Sequence, residues 1–76
     1  MTIEMALRHR IEELKIKNNI SISDWCLKSG VSPSTIYGLL KDRTAVLKIS
    51  TIKQLCLGIN ITLSEFFSPD YFNDYE

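Results

Sequence analysis

Residues 22–41 read ISDWCLKSGVSPSTIYGLLK, and this stretch decides the fold. Ser21 stands just ahead of it with Asp24 three residues on. That resembles a helix N-terminal capping box with Asp in place of the usual Glu. The helix continues through Trp25, Cys26, Leu27 and Lys28 and stops at Ser29-Gly30, where glycine supplies the positive φ of a C-terminal cap. Only Val31 separates that stop from a second start. Ser32 takes the cap position and Pro33 the first helical position, where its missing N–H leaves nothing unpaired. Ile36, Leu39 and Leu40 then give the second helix an apolar face as far as about Lys41. Helix, short glycine turn, helix is the sequence form of a helix-turn-helix. Two helices meeting at a steep angle need a small residue where they touch, and Cys26 is small. The turn needs Gly30, and the second helix must press Ile36 back on the first. Trp25, Val31 and Leu39 complete the inner face.

Outward from this stretch the chain stays helical. Ile3, Leu7, Ile11 and Leu14 are spaced by four, four and three, one apolar face of a helix over 3–18. Arg8, Arg10, Glu12, Glu13, Lys15 and Lys17 fall largely around the other face. Asn18-Asn19 ends that helix, because Asn tolerates the left-handed conformation of a helix stop. Asp42-Arg43-Thr44 reads as a loop. A fourth helix is expected over about 49–58, with Ile52, Leu55, Cys56 and Ile59 buried and Asn60 as C-cap. Thr62 opens a short fifth helix, residues 63–67, with Glu65 in the capping-box position and Phe66-Phe67 mostly in the core. Ser68-Pro69 ends it. Strand-like alternation, repeats and linkers do not appear. The expectation is an all-α chain of five helices: a domain over residues 1–69 and a short acidic, aromatic tail over 70–76. The tail aromatics can close the core, join a dimer interface or fray.

The 76 residues fit one small domain. An apolar share of 45% suffices for a core but leaves stability modest unless the chain dimerises. No apolar run approaches the roughly 18–20 residues of a membrane helix, and no signal-peptide pattern opens the chain, so a cytoplasmic protein with no membrane partner is expected. Cys26 and Cys56 are too few for a disulfide scaffold and, with His9 as the single histidine, lack zinc-site spacing. They read as reduced core residues, and His9 as a surface residue. One histidine, no glycine-rich loop and no acid pair leave no catalytic set, metal site, cofactor site or evident small-molecule site. The protein is expected not to be an enzyme. Nine bases and nine acids give zero net charge. Residues 1–53, however, hold all nine bases against five acids, a net of +4, and residues 54–76 hold four acids and no base. Phosphate affinity follows local Lys and Arg, so the first segment is what counts for nucleic acid.

RIEELKIKNNISISDWCLKSGVSPSTIYGLLK, ISTIKQLC and NITLSEFF, in that order and covering about three quarters of the chain, resemble the Cro/phage-repressor-type (XRE) helix-turn-helix family. The closing ISTIKQLCLGINITLSEFF is especially similar to small repressor-like proteins of Gram-positive bacteria and their phages. The resemblance implies a compact five-helix, lambda-repressor-like domain that binds double-stranded DNA, usually as a homodimer. In such a domain the second helix of the motif, here 32–41, enters the major groove with its N-terminal residues at base edges. The base-facing candidates are then Ser32, Pro33, Ser34, Tyr37 and Gly38. Ser21, Ile22 and Ser23, at a helix N-terminus with free N–H groups, are phosphate candidates. So are Thr35, Lys41, Arg43, Thr44 and Lys48.

Two departures matter. Groove-reading side chains that make bidentate contacts, such as Gln, Asn and Arg, are absent at 33, 34, 37 and 38. Tyr37 can donate one hydrogen bond or pack on a thymine methyl. Ser29 sits where the family often places an apolar residue. The leading expectation is a sequence-specific transcriptional repressor. The alternative is a protein-interaction module, antitoxin-like or a dimerisation adaptor, that kept the fold with little base readout.

Overall fold

The computed structural model describes residues 2–41 and 47–73. Five α-helices follow in order: α1 (Ile3–Lys17), α2 (Ile22–Ser29), α3 (Pro33–Leu40), α4 (Ile49–Gly58) and α5 (Leu63–Phe66), then a 3₁₀ turn, Asp70–Asn73. No strand occurs among the described residues.

Each start is fixed by local chemistry. Thr2, Ser21 and Thr62 accept the N–H of the residue three positions on, Met5, Asp24 and Glu65 respectively. These bonds satisfy donors that a helix N-terminus leaves without an internal partner. Thr62 and Glu65 form both halves of the expected capping box. Ser32 differs. It occupies the cap position with extended backbone, but its hydroxyl pairs with Ser34 Oγ at 2.9 Å instead of capping α3. The stops also follow the sequence: Gly30 has φ +69 and Asn19 φ 49. The cap of α4 is Ile59, and Asn60, one residue later, carries the positive φ of 59.

The core gathers Leu7, Ile11, Leu14, Trp25, Cys26, Ile36, Leu39, Ile52, Leu55, Cys56 and Phe66 around the helix-turn-helix. Ile3, expected on the inner face of α1, is instead 48% exposed, and Ile59 is only half-buried. Both lie at helix ends, and Ile59 still packs against the edge of the core. α2 packs on both α3 and α4. The Trp25 indole N–H donates to the Leu55 carbonyl at 2.9 Å, satisfying an acceptor in the last turn of α4. At the far end of α2, a Cβ on Gly58 would lie 2.0 Å from Ser29 Oγ, so glycine permits the approach of the two helices.

Arg10 departs most from expectation. It does not lie on the solvent face of α1 but is 8% exposed. Its Nε donates to the Phe66 carbonyl and its Nη2 to the Glu65 carbonyl, each at 2.7 Å. These are last-turn carbonyls of α5, which a four-residue helix cannot bond internally. Nη1 pairs with Glu13 at 2.6 Å, and the same carboxylate oxygen accepts from the Tyr71 hydroxyl at 2.9 Å. Residues 70–73 are thereby laid along α1. Phe72 closes the core edge with its ring 5.0 Å from that of Phe67, and Tyr71 meets the exposed His9 ring edge-on at 5.0 Å.

Candidate nucleic-acid interface

α3 has two sides. Ile36 and Leu39 are wholly buried, which turns Ser34 and Tyr37 outward together with Pro33. Thr35 and Gly38 are half-buried, and the Thr35 N–H is held by the Ser32 carbonyl at 3.1 Å. The outward face carries hydroxyls and apolar rings but no guanidinium or amide.

Three candidate residues come together across the motif. The Tyr37 hydroxyl lies 3.3 Å from Ser23 Oγ on α2, within hydrogen-bond distance. Lys41 Nζ sits 5.9 Å from the centroid of the Tyr37 ring. Thus Ser23 in the first turn of α2, Tyr37 in α3 and Lys41 at its C-cap form one connected line. Ser32 and Ser34 form a second hydroxyl pair at the start of α3. A shallow groove of about 450 Å³ is lined by Ser23, Asp24, Ser32 and Pro33 among others, and joins the two helix starts.

The other candidates are placed separately. Ser21 is exposed, but its hydroxyl is engaged by the Asp24 amide at 3.1 Å, which leaves the neighbouring backbone N–H groups to meet an anion. The Ile22 side chain is buried, so only its backbone can take part. Asp24 is exposed in the first turn of α2, where its negative charge favours the helix dipole but opposes a phosphate there. Lys48 is exposed at the N-cap of α4. Arg43 and Thr44 lie outside the described residues.

Among the described residues no three His, Cys, Asp or Glu side chains gather as a metal site. Cys26 and Cys56 are buried free thiols, pushed up from the ordinary cysteine range by that burial, which disfavours the thiolate. Among the described residues no helix is long and apolar enough to cross a membrane.

A family model described as the Cro/C1-type HTH DNA-binding domain matches residues 10–70. The chain belongs to that family. No curated protein and no solved structure matches the chain significantly. The match to the Cro/C1-type domain begins at Arg10 and takes in α2 to α5 whole. It makes this a DNA-binding domain whose motif is α2–turn–α3.

Sequence reasoning missed two structural residues of this Cro/C1-type domain. The Arg10 pattern was not legible, because its acceptors are backbone carbonyls 55 and 56 positions away. Gly58 had a signal, a glycine inside an amphipathic helix, which marks a close approach.

Proposed function

We propose that this domain is a transcriptional repressor that binds specific sites in double-stranded DNA as a homodimer, with α3 in the major groove. The observation that carries the reading is the Cro/C1-type match over the motif, with Ser32, Pro33, Ser34 and Tyr37 exposed on the side of α3 opposite its buried Ile36 and Leu39. An α-helix fits the major groove, and the N-terminal part of the motif's second helix is the part that reaches base edges. Lys41 and Lys48 flank that helix and hold the phosphate backbone, assisted by the free N–H groups at the start of α2. Two-fold pairing belongs to the reading because a small domain contacts few bases, and a symmetric site doubles the contacts.

Fluorescence anisotropy with a mixed-sequence duplex tests this. Two lysines from each of two subunits give about four neutralised phosphates. Affinity should then fall roughly a hundredfold between about 50 and 200 mM salt. Lys41→Glu with Lys48→Glu should abolish binding. No binding at about 50 mM salt would sink the proposal.

One feature favours the second reading, an interaction module with little base readout: Pro33–Leu40 contains no Arg, Lys, Gln or Asn. Under that reading the double charge reversal leaves the protein's behaviour unchanged.

A further inference from the structure

A tyrosine in the major groove can read DNA in two ways: its hydroxyl can bond a base edge, or its ring can pack on the 5-methyl group of thymine. The geometry separates them. The Tyr37 hydroxyl is turned back to Ser23 Oγ, 3.3 Å away on α2, and Lys41 Nζ lies 5.9 Å from the ring centroid. The hydroxyl thus has a partner in the first turn of α2, and the residue remains 39% exposed. Beyond that hydroxyl, the group this side chain can bring to a base is its ring, with the Lys41 ammonium over it. Pro33 lies four residues earlier, so the two rings share one face of α3, a turn apart. The remaining polar groups at the head of that face, Ser32 and Ser34, are compact hydroxyls paired with one another at 2.9 Å.

We infer that Pro33 and Tyr37 form an apolar stripe that recognises thymine by its 5-methyl group. The domain then discriminates thymine from uracil at the base pairs beneath α3. The inference rests on the reading that α3 enters the major groove, the groove in which that methyl is displayed. Tyr37 acts here as an apolar reader and not as a hydrogen-bond donor to a base.

The test compares two random-sequence duplex pools of about 30 base pairs, one made with thymine and one with uracil throughout, by anisotropy at low salt. Burial of one methyl group predicts roughly three- to fourfold tighter binding to the thymine pool for each contacted methyl. Tyr37→Phe keeps that ratio, and Tyr37→Ala lowers it roughly three- to fourfold, to the share that Pro33 supplies, with helical circular dichroism confirming that each variant is folded. Equal binding of the unaltered protein to both pools overturns the inference and leaves DNA binding standing. Loss of the ratio in Tyr37→Phe also overturns it, because the hydroxyl would then be the reader. Binding to neither pool overturns the inference together with the proposed function. The comparison on the unaltered chain needs no variant to be decisive.

Discussion

At the scale of single residues, Arg10 shows how a charge that looks external becomes internal. Its guanidinium terminates α5 and ties α1 to the 3₁₀ turn through Glu13 and Tyr71. Arg10→Met should lower stability by about 1.5–3 kcal/mol, the range for hydrogen bonds involving a charged group, as read by urea unfolding. The same cluster sets a pH window. Glu13 is held below its ordinary 4.5, chiefly by the hydrogen bond from Arg10 and then by that from Tyr71, against some opposition from burial. Its stabilisation is complete above that value and is lost as pH falls through the lower folded-state value. Tyr71 is pushed up from 10 to about 12, first by burial and then by the Glu13 carboxylate. Its stabilisation is present below pH 10 and fades as pH rises through about 12. Tyr71→Phe should therefore flatten the alkaline end of a plot of melting temperature against pH. An unchanged alkaline decline would disprove this role. The bonds of Arg10 to α5 could not be read from the sequence, because carbonyl acceptors leave no mark on residue identity. By contrast Gly30, Pro33 and the Thr62–Glu65 box were legible, since each answers a strictly local demand of the backbone.

At the scale of elements, the contact of α2 with α4 depends on Ser29 and Gly58. Ser29 Oγ is buried and finds no hydrogen-bond partner among the described residues, and it occupies the space that a Cβ on Gly58 would need. An unsatisfied buried hydroxyl is unfavourable, so Ser29→Ala should stabilise the domain by about 1 kcal/mol. Gly58→Ala improves helix propensity but meets Ser29, and should destabilise by about 1–2 kcal/mol. In the Ser29→Ala background much of that loss should vanish. A double-mutant cycle in thermal unfolding measures the coupling, and strict additivity would refute it. The helix-turn-helix itself was readable because its signals are ordered within 20 residues: cap, small contact residue, glycine, second cap and apolar face. The 3₁₀ turn was not. Asp70–Asn73 has too little periodicity to announce itself, and it forms against α1 through Tyr71 and Phe72.

At the scale of the whole molecule, the zero net charge conceals a division. Arg10 and Glu13 cancel one another inside the first segment, so residues 1–53 still carry a net of +4 and residues 54–76 a net of −4. The acidic segment opposes indiscriminate approach to DNA, so non-specific affinity should be weak and steeply salt-dependent. A radius of gyration of 11.5 Å equals that of a packed chain of this length, about 11 Å, so a single copy offers only a short reading surface. Sedimentation of the complex with its site should give the mass of two chains on one duplex, and one chain per duplex would refute the dimer. The central claim, that α3 reads duplex DNA in a two-fold arrangement, is tested most directly by selecting bound sequences from a random duplex pool. The account predicts enrichment of a symmetric, thymine-containing motif with half-site centres about 10 base pairs apart, one helical turn. A pool from which nothing is retained, or retained sequences with no shared motif, would contradict it.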